Sequence, residues 1–159
     1  MSFDCFFSAD GIDYQLWIDD DGQVCYAYLR KADGSICGKV WLYNRGQSPE
    51  RFEEPRGVPP RNPARFVADV QFPLPDSPDD FSAQWWSEGG VLYARVFIRE
   101  ALVGIVAPGT NPGWSIMAKK DGPVAKVLPS SSQSDLAPIL REIRAMAARE
   151  KDHGQRDEL

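Results

Sequence analysis

Histidine is nearly absent from this chain of 159 residues: the sequence contains one, His153, close to its C-terminal end. Histidine is the usual general base of enzymes and the commonest metal ligand in proteins. A Ser-His-Asp or Cys-His catalytic site is therefore not expected, and neither is a histidine-rich metal centre. The glycine-rich dinucleotide fingerprint and the phosphate-binding Walker loop are also missing. The sequence thus favours a non-enzymatic protein without a cofactor or a metal.

Long apolar runs are missing too. No stretch approaches the ~20 apolar residues of a membrane-spanning helix. The N-terminus lacks the basic residues and the apolar segment that mark a secretory signal. We therefore expect a cytoplasmic protein without membrane contact. Acidic residues outnumber basic ones by 23 to 18, which gives a net charge of −5. Because phosphate contacts need a basic surface, nucleic-acid binding is not expected either.

The N-terminal part of the chain is rich in Asp-Gly pairs that separate aromatic and β-branched runs. The three pairs are Asp10-Gly11, Asp21-Gly22 and Asp33-Gly34. Such a pair supplies the positive φ angles of a two-residue hairpin turn. The pattern predicts a meander of four antiparallel strands at about 3–8, 12–19, 24–31 and 36–43. With each pair as the turn, the predicted cross-strand neighbours are Phe7 with Tyr14, Ile18 with Cys25, Ala27 with Val40, and Tyr26 with Trp41.

This register sorts the side chains of the meander onto two faces, as a half-buried sheet requires. One face is apolar and is the predicted core: Phe3, Cys5, Phe7, Tyr14, Leu16, Ile18, Cys25, Ala27, Leu29, Val40 and Leu42. The other face mixes aromatic and polar residues: Asp4, Phe6, Gln15, Trp17, Tyr26, Tyr28, Arg30, Cys37, Lys39, Trp41 and Tyr43. The second face is either covered by another layer of the fold or exposed for recognition.

Cysteine is scarce, with three residues in the chain. The predicted register places Cys5 and Cys25 on the core face but two strands apart, roughly 10 Å at the usual strand spacing. That separation is too large for a disulfide, and Cys37 points to the opposite face. Free thiols are typical of a reducing cytosol.

The remainder of the chain indicates further strands and one helix. Residues 44–64 are too rich in proline for a helix or a central strand and are predicted to be a long loop. Strands are predicted at 65–71, 84–87, 91–99, 102–107, 114–119 and 124–128, with Asp121-Gly122 as the turn of the last pair. Ser77 followed by Pro78 predicts a short helical turn.

The apolar residues after position 135 recur at helical spacing: Leu136, Ile139, Leu140, Ile143 and Ala147. They predict an amphipathic helix at about 135–150, with Pro138 in its first turn and a polar tail at 151–159. The whole chain is thus expected to be a single, mainly β domain over 1–150. It would form one strongly curved antiparallel sheet, or a sandwich, of eight or nine strands, closed by the C-terminal helix.

By elimination, the surface is the remaining place to look for a function. Aromatic side chains with charged neighbours are typical of interface hot spots. The candidate partner-binding residues are Trp17, Tyr26, Tyr28, Trp41, Tyr43, Trp86, Tyr93 and Arg95. We therefore expect a protein-binding domain whose acidic surface suits a basic partner, such as a toxin domain.

Small, acidic, β-rich single domains without catalytic residues are common among bacterial immunity proteins, which neutralise a toxin by docking on it. This general likeness, which no motif supports, makes an immunity-type inhibitor the specific hypothesis. One alternative is a ligand carrier or enzyme with a pocket lined by Tyr26, Tyr28, Trp41 and Arg95. Another is a subunit or scaffold of a larger assembly.

Overall fold

The computed structural model describes residues 2–53, 57–69, 73–129 and 136–157, the last eight of these by their backbone alone. The described elements are β1 (Phe3–Phe7), β2 (Tyr14–Asp20), β3 (Val24–Lys31), β4 (Ile36–Asn44), β5 (Phe81–Glu88), β6 (Val91–Ile98), β7 (Ala101–Val106), β8 (Trp114–Ser115), β9 (Lys126–Val127) and α1 (Ala137–Asp157). The predicted mainly β fold with a C-terminal helix is confirmed. No helix in the described residues is long and apolar enough to cross a membrane.

The strands form two sheets, so of the two predicted arrangements the single strongly curved sheet was wrong and the two-sheet alternative is the one observed. The first sheet has the order β1-β2-β3-β4 and the second the order β5-β6-β7-β8-β9. The predicted meander is therefore confirmed as the first sheet. Strands β8 and β9 pair in parallel, which corrects the predicted hairpin around Asp121-Gly122. Between them the chain leaves the sheet, and Ala118 forms a bridge with Val67 instead.

The register of the meander is confirmed over the central part of β3–β4 and differs in the first two hairpins. Ala27 pairs with Val40 and Tyr26 with Trp41, as predicted. Phe7, however, pairs with Leu16 rather than Tyr14. The second hairpin is likewise shifted, with Ile18 opposite Ala27. Both shifts are even, so every side chain of these strands keeps its predicted face.

Aspartate side chains explain why the second hairpin loop is longer than two residues. The Asp20 carboxylate accepts a hydrogen bond from the amide of Gly22 at 3.0 Å. The Asp21 carboxylate accepts from the amides of Gln23 and Val24 at 2.8 and 2.9 Å. These local bonds satisfy backbone donors that a tight turn would otherwise use, which is how aspartate favours turns.

A β-bulge moves one predicted residue to the opposite face. The register of β3 and β4 shifts between Cys25 and Tyr26, so that Cys25 pairs with Tyr43. Cys25 also pairs with Asp20 on its other side. Tyr43 therefore lies in the core-facing row of Asp20 and Cys25, and its predicted place beside Trp41 on the outer face was wrong. An alternating pattern cannot reveal the extra residue that a bulge inserts.

The two sheets share one hydrophobic core. Its first-sheet members include Leu16, Ile18, Leu29 and Val40, and its second-sheet members include Ala94, Val96, Ile98, Val103 and Val106. The opposite face of the second sheet packs against α1 through a separate cluster that includes Tyr93, Leu102, Ile105, Trp114, Leu136, Ile139 and Ile143. The molecule thus stacks sheet, sheet and helix, and the outer face of the first sheet is the side that the helix leaves uncovered.

The predicted helical turn, the strand predicted at 65–71 and the C-terminal tail have different outcomes in the structure. Ser77 caps a 3₁₀ turn at Pro78–Asp80, as predicted, with its hydroxyl accepting from the amide of Asp79 at 3.0 Å. The predicted strand at 65–71 was wrong over its described part, which contains a 3₁₀ turn at Ala64–Phe66 followed by the Val67 bridge. Positions 70 and 71 lie outside the described residues. The helix continues to Asp157, so residues 151–157, predicted to be a polar tail beyond the helix, are helical.

Candidate protein-binding site

Tyr26 and Trp41, two of the predicted contact residues, are buried on the outer face of the first sheet. Their exposed fractions are 2% and 0%. The Tyr26 hydroxyl donates a hydrogen bond to the carbonyl of Pro60 at 2.7 Å. The Trp41 amide donates to the carbonyl of Val124 at 2.9 Å, which closes the backbone edge of β4 beside this residue. The segment at Pro60 therefore contacts Tyr26, and both rings are buried on the face that the sequence left open.

An asparagine fixes the segment around Asn62 beside these rings. The Asn44 side-chain oxygen accepts from the indole N–H of Trp41 and from the amide of Asn62, both at 2.9 Å. Its side-chain nitrogen donates to the carbonyl of Asn62 at 2.7 Å. Buried polar groups without partners are costly, so these bonds hold the segment around Asn62 in one position. Tyr26 and Trp41 are accordingly structural residues in the isolated chain.

The part of the outer face that remains open is an aromatic strip, which we call the Trp17 patch and define as Phe6, Trp17 and Tyr28. The three residues are direct cross-strand neighbours on β1, β2 and β3. Phe6 and Trp17 stack with 6.2 Å between ring centroids, and Trp17 and Tyr28 lie 4.9 Å apart. Phe6 is 49% exposed, while the other two rings are half-buried.

Charged groups of both signs frame the Trp17 patch. The guanidinium of Arg30 lies 5.9 Å from the Phe6 ring centroid and 5.8 Å from that of Trp17. On the opposite side, the indole N–H of Trp17 donates to the Asp4 carboxylate at 3.1 Å. Both contacts hold the indole ring in place, so the patch is ordered before any partner arrives. Preformed aromatic surfaces lose less entropy on binding.

Asp19 extends the acidic side of the patch. It pairs across the strands with Asp4 on one side and Tyr26 on the other. Burial, a hydrogen bond with Asp4 and the charge of Asp4 raise the pKa of the Asp19 carboxyl to about 6. Burial also raises the pKa of the Tyr28 phenol, which therefore stays protonated at neutral pH and can donate a hydrogen bond. The open face thus offers ordered rings beside two neighbouring carboxyl groups.

The candidates on the second sheet form a separate cluster. Trp86 is 43% exposed, whereas Tyr93 is 5% exposed, and their rings stack with centroids 6.4 Å apart. The Arg95 guanidinium donates to the side-chain oxygen of Gln84 at 2.8 Å. An open groove of about 420 Å³ lies between the β5–β6 hairpin and α1. It is lined by Trp86, Glu88, Gly89, Val91, Tyr93, Leu140 and Arg144.

The predicted site residues therefore fall into three places. Trp17 and Tyr28 lie together on open surface, while Trp86, Tyr93 and Arg95 lie on the helix-facing side of the other sheet. Tyr26, Trp41 and Tyr43 are buried. Phe6 and Asp4 were not among the predicted site residues, although alternation already placed both on the face of Trp17. Both residues lie on β1, an edge strand that no other layer has to cover. This position was the signal in the sequence that could have identified them as site residues.

Comparisons with protein-family models, with curated proteins and with solved structures found no significant match to this chain. Any functional assignment must accordingly come from the arrangement of its own residues.

Proposed function

We propose that this protein is a non-enzymatic binding domain that docks a basic protein partner through the Trp17 patch. The observation that carries the proposal is the ordered, open strip of Phe6, Trp17 and Tyr28 beside the Asp4 and Asp19 carboxyl groups. Aromatic rings dominate the energetics of protein interfaces because they bury a large area with few rotatable bonds. A surface that combines them with acidic groups suits a partner that presents apolar and basic side chains together.

The charge of the whole chain supports a basic partner. The net charge of −5 would speed encounter with a positively charged protein, an effect that weakens as salt increases. The acidic pair at the edge of the patch would then orient the partner, and the rings would exclude water from the contact. Inhibition of a basic bacterial toxin, in the manner of an immunity protein, is the specific form of this proposal.

The alternative of a ligand pocket among Tyr26, Tyr28, Trp41 and Arg95 has no support in the geometry. The first three residues lie on the outer face of the first sheet, whereas Arg95 lies on the helix side of the second sheet. The shared core separates the two surfaces, so these residues cannot line one cavity.

Parallel capture experiments would test the proposal. The wild-type chain, Trp17→Ala and Trp86→Ala would each be used as bait in an extract of the source cell, or co-expressed with the product of the adjacent gene. Trp86→Ala is the matched control, because it removes an exposed tryptophan from the other sheet. We expect a basic protein to be retained by the wild type and by Trp86→Ala but lost with Trp17→Ala.

Calorimetric titration with the captured protein would then measure the effect. Trp17→Ala should weaken binding by about 2 kcal/mol or more, as truncation of a hot-spot residue does, and Phe6→Ala should weaken it in the same direction. Equal affinity of the Trp17→Ala variant and the wild type for every captured protein would exclude the patch as the docking surface.

A further inference from the structure

The outer edges of the two sheets differ in how they are protected against pairing with another strand. Strand β4 is closed by backbone bonds: the Lys39 amide donates to the Thr110 carbonyl and the Trp41 amide to the Val124 carbonyl, both at 2.9 Å. At the far edge of the second sheet, β9 has only two residues. Blocked and very short edges are common devices that prevent edge-to-edge association.

The third edge, β1, makes no outer backbone bond to any described residue, but it carries a charge. This strand has five residues, and Asp4 at its second position lies directly opposite Asp19. Pairing β1 with β1 of a second copy would bring the carboxyl groups of that copy close to Asp4 and Asp19. Like charges close together across strands oppose pairing, so β1 is protected by its charge.

Strand β5 has none of these protections from the described part of the chain. It runs for eight residues, Phe81–Glu88, and residues 81–87 contain neither a charged residue nor a proline. It pairs with β6 on one side, and within the described ranges no backbone group bonds to its other side. A long, uncharged edge strand presents a row of free N–H and C=O groups that match another extended strand.

The side chains of β5 favour burial of this edge as well. Successive residues of a strand point to opposite faces, so Trp85 and Trp86 place one indole on each face of the sheet. Trp85 packs against the shared core, whereas Trp86 is 43% exposed on the helix side. A strand added beside β5 would therefore remove apolar surface from water on both faces of the sheet.

We propose that β5 pairs with β5 of a second copy of this chain, antiparallel about a two-fold axis, so that the second sheets of the two copies become continuous. Self-pairing suits β5 because it places the uncharged residues of one copy opposite uncharged residues of the other. With Trp85 at the two-fold axis, for example, the one charged residue of β5, Glu88, lies opposite Ser82. Two-fold pairing also closes the edge on both copies, which prevents further growth.

The proposal is independent of the Trp17 patch, which lies on the other sheet, and it can be tested with the free protein. Sedimentation velocity over a range of concentrations would measure self-association of the wild type, of Gln84→Glu and of Gln23→Glu. Gln84→Glu adds a negative charge to the centre of β5 in both copies, and it keeps an oxygen for the hydrogen bond from Arg95. Gln23→Glu makes the same change at an exposed turn and serves as the matched control.

We expect dimers of the wild type and of Gln23→Glu with equal dissociation constants, and a dissociation constant about tenfold higher for Gln84→Glu, since a charged side chain on an edge strand opposes pairing of that edge. Hydrogen exchange at low and high protein concentration would locate the interface. Amides in residues 81–88 should be protected more strongly at high concentration, and those in residues 3–7 should be unchanged. A wild type that is monomeric at every concentration, or concentration-dependent protection outside β5, would overturn the proposal.

Discussion

The phenol of Tyr43 donates a hydrogen bond to the carboxylate of Asp20 at 2.6 Å, and both side chains are fully buried. The same carboxylate accepts from the Arg45 guanidinium at 2.8 Å. Arg45 also donates to the carbonyl of Pro75. This network connects the first hairpins to the segment that leads into the second sheet, and the β-bulge in β3–β4 is what brings Tyr43 into it.

Removing the carboxylate from this network should be strongly destabilising. Asp20→Ala leaves the buried Tyr43 phenol without its acceptor and the Arg45 guanidinium without its charge partner, and the loss of one partner of a buried ion pair costs about 3–5 kcal/mol. Tyr43→Phe removes a single donor and should cost about 1–3 kcal/mol. Urea unfolding followed by tryptophan fluorescence would measure both losses.

The exposed Asp10→Ala is the control for the loss of an acidic group. Since Asp10 lies on a surface turn, its replacement should change the free energy of unfolding by less than about 0.5 kcal/mol. If Asp20→Ala were as stable as Asp10→Ala, the network would contribute nothing to the fold.

The sequence predicted the fold correctly where a single rule, such as turn chemistry or alternation, determines the local structure. Asp-Gly turns and alternation predicted the meander, and even register shifts left the faces of β1 and β2 unchanged. The same rules could not foresee the bulge, because Tyr43 reaches the core only through an extra residue. They also could not foresee that Tyr26 and Trp41 are buried, since irregular segments fold back through long-range contacts such as Asn44 with Asn62. The open and covered parts of one face were therefore indistinguishable in the sequence.

Two of the three thiols, those of Cys5 and Cys25, should react slowly in the folded protein. Burial, together with the neighbouring Asp4 charge, raises the pKa of Cys5 to about 11, and burial raises the pKa of the fully buried Cys25 as well. Because the thiolate is the reactive form, iodoacetamide at pH 8 should modify Cys25 only after unfolding and Cys5 slowly. Peptide mass spectrometry of samples labelled with and without urea would measure this.

Rapid labelling of Cys25 in native buffer would contradict its burial. A peptide in which Cys5 is linked to Cys25 by a disulfide would contradict the register, which separates them by the intervening β2 strand.

Two glycine positions offer a direct comparison of packing at the sheet interface. A Cβ at Gly38 would lie 2.5 Å from the carbonyl oxygen of Ala107, which is rigid backbone, whereas a Cβ at Gly104 would lie 2.7 Å from Cδ2 of the Leu42 side chain. A side chain can rotate away and a backbone carbonyl cannot. Gly38→Ala should therefore cost about 1–3 kcal/mol, and Gly104→Ala should cost less.

Thermal and urea unfolding of the two alanine variants would be compared with those of the wild type. Equal losses for both variants would mean that the segment around Ala107 moves as readily as the Leu42 side chain. That result would contradict a rigid closure of the β4 edge.

Asp19 should make stability depend on pH in a direction opposite to that of most carboxylates. Its pKa is raised from 3.8 to about 6 in the folded chain, so the folded state binds more protons than the unfolded state between these values. Stability must then fall as the pH rises through this window. The carboxylate is partly exposed, and solvent screening should keep the loss below about 1 kcal/mol.

Asp19→Asn tests this dependence because the amide can still donate a hydrogen bond to Asp4 but cannot ionise. We expect the variant to be more stable than the wild type above pH 6, with the difference shrinking as the pH falls and vanishing below about pH 4. Asp10→Asn removes the same charge from an exposed turn and should not reproduce this dependence. The measurement is the free energy of unfolding in urea for all three proteins at several pH values. If Asp19→Asn were less stable than the wild type at pH 7, groups within the chain would have to stabilise the Asp19 carboxylate. The negative charge on the acidic side of the Trp17 patch would then already be balanced without a partner.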